Sequence, residues 1–83
     1  MKELTLPSRI ESVDEAAMFA DEFARANGYG DDIMSAVDLA VRESVANAVK
    51  HGNKFDESKL VEMTISSSED GLKITVRDFG TGF

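Results

Sequence analysis

Cysteine is absent from the sequence, so neither a disulfide framework nor a thiolate metal site can be built from it. Histidine occurs once, as His51, and without a second histidine or a cysteine it makes no zinc site. No apolar run approaches bilayer-spanning length, and the N-terminus lacks the pattern of a secretory signal. These absences lead to the expectation of a soluble, cytoplasmic protein with no membrane contact. Positive charge is also scarce, with 9 Lys and Arg against 16 Asp and Glu, a net charge of −7. That disfavours nucleic acid as a partner, because phosphate backbones call for a basic surface. It equally disfavours a bare polyphosphate, which would have to arrive with a divalent cation. No internal repeat, linker or low-complexity stretch is visible. A length of 83 residues allows one domain, 1–83, with a modest core.

What is present is regular patterning. Lys2 to Leu6 alternates polar and apolar and stops at Pro7, which reads as a short edge strand. Ser12-Val13-Asp14-Glu15 has the form of a capping box and predicts a helix running to about Asn27, ended by Gly28. Its expected buried stripe is Ala16, Phe19, Ala20 and Phe23, with Asp14, Asp21, Glu22 and Arg25 in water. Asp31 or Asp32 can cap a second helix, expected from about Asp32 to His51, with Ile33, Val37, Ala40, Val41, Ser44 and Ala48 as its apolar stripe. Val61, Met63 and Ile65 alternate with polar residues, as do Leu72, Ile74 and Val76, and Asp70-Gly71 between them signals a hairpin. The order β-α-α-β-β predicts an α+β two-layer sandwich, a small sheet covered on one face by two helices.

Two stretches carry chemistry. In Arg42 to Asn53, Glu43 and Asn47 are four apart and share a helix face at the border of the apolar stripe. Lys50 continues that face and His51 stands at its edge, although a lysine there is commonly a solvated charge and a lone histidine a compensator of the helix dipole. In Arg77 to Phe83, Asp78 falls in phase with Leu72, Ile74 and Val76. It therefore either leaves the sheet end into solvent or faces a pocket with a polar ligand, because a buried carboxylate needs a donor. Taken as one site, Asn47 offers a neutral oxygen to Mg²⁺, and Glu43 can accept a proton from an attacking hydroxyl or water. Asp78 can accept a hydrogen bond from an exocyclic amine, and Gly80 and Gly82 let backbone approach a flat ring.

In this order and spacing, Glu43-x-x-x-Asn47-Ala48-x-x-His51-Gly52 and Asp78-x-Gly80-x-Gly82-Phe83 resemble the N box and first glycine box of the GHKL (Bergerat-fold) ATPases. The short span between the boxes is most similar to the bacterial anti-sigma factor serine/threonine kinases. The resemblance covers nearly the whole chain. It implies Glu43 as general base, Asn47 as the Mg²⁺ residue, Asp78 as reader of the adenine amine, and Gly80 and Gly82 beside the nucleotide. Lys50 and His51 join them as candidate nucleotide-binding residues. ATP or ADP and Mg²⁺ are the implied cofactors. The implied partners are a sigma factor and a STAS-type antagonist phosphorylated on serine, which makes the full-length protein a transcription-regulating transferase. The resemblance's phosphate lid, later strands and second glycine-rich box do not follow Phe83, so this stretch alone is expected to bind adenine nucleotide weakly and to catalyse poorly. An open sheet edge also invites a homodimer or strand-paired oligomer. The alternatives are a catalytically inactive interaction module derived from the same fold, or a fragment of another GHKL ATPase such as a histidine kinase.

Overall fold

The computed structural model describes residues 1–78. Its elements are β1 (Lys2–Pro7), α1 (Glu11–Ala26), α2 (Asp31–Asn47), a π-helical turn (Ala48–Gly52), β2 (Leu60–Ser68) and β3 (Gly71–Asp78). The strands form an antiparallel sheet in the order β1-β2-β3. The α+β order expected from the sequence is therefore the order observed.

Register follows from the period-2 patterning. Leu4 pairs with Met63, which pairs with Val76, and Leu6 pairs with Val61, which pairs with Asp78. Each row places inward side chains side by side, so Asp78 continues the row of Leu6 and Val61. Val61, Met63 and Ile65 are buried against Ala16 and Ala20 of α1 and Val37, Val41 and Val45 of α2. Burying one such aliphatic side chain contributes about 1.5–3 kcal/mol. The hairpin between β2 and β3 turns at Glu69 and Asp70, and Gly71 follows at φ 115°, a conformation that favours glycine.

The helices depart from expectation in instructive ways. α1 begins at Glu11, and Ser12 lies inside its first turn, where the hydroxyl donates to Pro7 O at 2.7 Å instead of capping the helix. The core stripe of α1 consists of small residues, with Ala16, Ala17, Ala20 and Ala24 buried, while Phe19 and Phe23 pack at its margin. Alanines there let α1 lie close to α2, and the rings cover the flank. Gly28 ends α1 as expected, at φ 82°, with Tyr29 N–H bonded to Ala24 O at 3.1 Å. No side chain caps α2: Gly30 occupies the N-cap in an extended conformation. The buried side of α2 is Val37, Val41 and Val45, whereas Ile33, Ala40 and Ser44 are exposed. Arg42 pairs with Asp38 of its own helix at 2.9 Å and bridges to α1 through Asp14 at 2.6 Å.

Candidate nucleotide site

The helix that carries Asn47 changes pitch immediately after it. Ala48 to Gly52 is a π-helical turn, closed where Asn53 N–H bonds to Ala48 O at 2.8 Å. Single π turns of this kind concentrate at functional sites, because they re-aim side chains without ending the helix. The chain then leaves through Lys54 and Phe55, both in the left-handed region at φ 51° and 59°. Phe55 N–H reaches back to Val49 O at 2.8 Å, so the sharp exit is hydrogen-bonded.

Between this segment and β3 lies a cavity of about 610 Å³. One wall is helical: Ala40, Val41, Ser44, Asn47, Ala48, His51 and Gly52. The other is Ile74, Val76 and Asp78 of β3. The floor is apolar and the polar groups, Asn47, His51 and Asp78, are exposed toward solvent. Small pockets of this size with an apolar body and a few convergent polar groups suit an organic ligand.

The structure brings together three of the residues singled out from the sequence, Asn47, His51 and Asp78. Asp78 sits at the end of an inward row, where it is exposed to solvent and also lines the cavity. Gly52 belongs to the same wall: a Cβ placed there would fall 2.8 Å from Asp78 Oδ1 and closer still to Cγ and Oδ2. Glu43 and Lys50 are exposed and are not among the lining residues. Gly80 and Gly82 lie outside the described residues. Ser44 was assigned to the apolar stripe from its spacing and instead lines the cavity with Asn47 and His51. Its hydroxyl, the one polar group in that stripe, was the available signal.

A polar cluster anchors this wall from behind. Asn53 is buried, and its Nδ2 donates to Ser8 Oγ at 2.6 Å and to Leu60 O at 3.0 Å. Ser8 Oγ in turn donates to Lys59 O. Away from this cavity, Asp21 of α1 has a buried Oδ1 with no donor facing it. Burial first, and then the neighbouring Asp38 carboxylate, hold its pKa above the ordinary 3.8. Among the described residues no group of three or more His, Asp or Glu side chains is placed to hold a metal ion by itself.

Comparison with known proteins decides the family. The family described as Histidine kinase-like ATPase domain matches residues 6–83, nearly the whole chain. The chain belongs to this family. The resemblance to GHKL ATPases drawn from the sequence falls within the matched residues. Curated relatives include an anti-sigma F factor of Clostridium perfringens, 45% identical over 49 residues, covering 59% of this chain and 35% of the relative. A serine-protein kinase RsbW of Listeria innocua is 30% identical over 80 residues, covering 96% of this chain and 51% of the relative. One of Bacillus licheniformis is 32% identical over 81 residues, 98% of this chain and 51% of the relative. The chain thus spans about half the length, or less, of these relatives. No helix among the described residues is long and apolar enough to cross a membrane.

Proposed function

We propose that this chain is the nucleotide-binding portion of an anti-sigma factor serine-protein kinase, holding ATP or ADP with Mg²⁺ in the cavity between α2 and β3. The observation that carries the reading is Asn47 and Asp78 on opposite walls of one cavity. Asp78 accepts a hydrogen bond from the exocyclic amine of adenine, and the base lies on Ile74, Val76 and Ala40. Asn47 would hold Mg²⁺ through its amide oxygen, and the ion would offset the negative charge of the phosphates there. The cation is needed because the chain is strongly acidic. His51, on the cavity wall, would face the phosphates, and Lys50, Gly80 and Gly82 are proposed as further nucleotide contacts.

In the complete protein, Glu43 accepts the proton of a serine hydroxyl on a STAS-type antagonist. As its Oγ–P bond forms, the bond between the γ-phosphorus and the β,γ-bridging oxygen breaks and ADP leaves. Glu43 suits that role by standing one turn before Asn47, outside the cavity walls, where a protein substrate can reach it. The family match and the relatives named anti-sigma F factor and serine-protein kinase support the reading, including a sigma factor as partner.

Titration with Mg²⁺-ADP, followed by calorimetry or NMR, tests it. Asp78→Asn reduces affinity by on the order of tenfold, the loss of one charge-assisted hydrogen bond. Unchanged binding in that variant overturns the adenine role of Asp78. A second reading, a catalytically inactive module that dimerises through strand pairing, draws on the outer edge of β1, which has no strand neighbour among the described residues. Concentration-dependent dimerisation with no response to nucleotide favours it.

A further inference from the structure

We infer that Asn53, held by Ser8, is a positioning residue that sets the spacing between the two walls of the cavity and thereby its discrimination among purine bases. This rests on the nucleotide reading above and adds a residue outside its binding set. Neither Asn53 nor Ser8 lines the cavity.

Three observations converge on Asn53. Its backbone N–H closes the π-helical turn by bonding to Ala48 O, so it fixes the pitch of the segment that presents His51 and Gly52. Its side chain, 1% exposed, crosses to β2 and bonds Leu60 O. Leu60 immediately precedes Val61, and Val61 is the register partner of Asp78. One residue therefore ties the helical wall to β2, the strand paired with the one that forms the opposite wall, next to the register partner of Asp78. Ser8, 0% exposed, accepts from Asn53 and donates to Lys59 O, which fixes the amide's orientation and removes its rotational freedom.

The tie matters because the wall contact is tight. The Asp78 carboxylate lies against Gly52 so closely that no Cβ fits between them. A shift of the π turn by a fraction of an ångström moves Gly52 relative to Asp78, and with it the carboxylate's aim at a base amine. Buried amides bonded on both sides are well suited to this, because leaving any partner unpaired is costly and the geometry is therefore single-valued.

The test is the ratio of affinities for ADP and inosine diphosphate, with Mg²⁺, measured by calorimetry on the chain and its variants. The inosine nucleotide carries a carbonyl where adenine carries the amine, so the carboxylate repels it. The intact chain prefers ADP by about tenfold or more. Ser8→Ala, which keeps the bond to Leu60 O, lowers that ratio to about threefold, and Asn53→Ala brings it to about unity. Loss of folded protein lowers both affinities alike and leaves the ratio unchanged, so the ratio separates positioning from stability. If Asn53→Ala does not fold, Ser8→Ala alone decides. Variants that keep the full ratio overturn the role of Asn53 while leaving the nucleotide reading intact. An intact chain that fails to distinguish the two nucleotides strikes Asp78's role, and this inference falls with it.

Discussion

The Asp78 carboxylate fills the space that a Cβ at Gly52 would need, although 26 positions separate them in the sequence. Gly52 closes the π-helical turn and Asp78 ends β3, so their contact is where the helical layer meets the sheet at the mouth of the cavity. A side chain at position 52 must displace the carboxylate. Gly52→Val is expected to keep the fold, read by circular dichroism, while weakening Mg²⁺-ADP binding by about tenfold or more, as expected for a charge-assisted bond that is no longer made.

Glu43 and Asn47 share a helix face but not a surrounding. Glu43→Gln is expected to leave ADP affinity within about twofold, because its side chain lies outside the cavity, whereas in a full-length relative it would abolish phosphotransfer. Asn47→Ala is expected to remove most of the Mg²⁺ dependence of ADP binding while leaving metal-free binding nearly unchanged. Calorimetric titrations with and without Mg²⁺ distinguish the two.

Asp21 gives the chain a pH-dependent cost. Its pKa is raised in the folded state by burial and by Asp38, so the folded chain holds the proton more tightly than the unfolded one. Its contribution to stability is therefore fully present below pH 3.8 and is lost as the pH rises through the raised value. Asp21→Asn replaces the like-charged pair with an amide that can donate to Asp38. At pH 7 the variant is expected to be more stable, with Tm higher by about 2–4 °C, and the difference is expected to vanish near pH 3. Thermal melts at the two pH values check this; no gain at pH 7 contradicts it.

Ile65, fully buried in β2, faces the helices beside Met63. Ile65→Ala is expected to destabilise the chain by about 2–4 kcal/mol through lost transfer energy and the void left behind. In so small a domain that is a large share of the total, so urea denaturation should show a midpoint moved toward zero with an almost unchanged slope.

Much of this was legible in the residues themselves. Alternation in Leu4–Leu6, Val61–Ile65 and Leu72–Val76 set the strands and their faces, because side-chain period 2 and one buried face leave a single workable register. Gly28 marked the end of α1 and Asp70-Gly71 the hairpin, since Gly28 and Gly71 take the positive φ those turns require. The phase of Asp78 and the spacing of Asn47 and His51 pointed to one place, and the three line one cavity. The rotation of α2 was not legible. Spacing put Ala40 and Ser44 in the apolar stripe with Val41 and left Val45 out of it, whereas packing buries Val41 and Val45 and leaves Ala40 and Ser44 exposed at the cavity. The depth of Asn53 and Ser8 was equally hidden, because their partners are backbone carbonyls at Leu60 and Lys59 that become neighbours only when the chain folds. Local pattern thus determined the elements and the chemistry they carry. Their packing determined the width of the cavity, the contact of Gly52 with Asp78 and the charge cluster around Asp21, since these depend on distances between segments that no periodicity encodes.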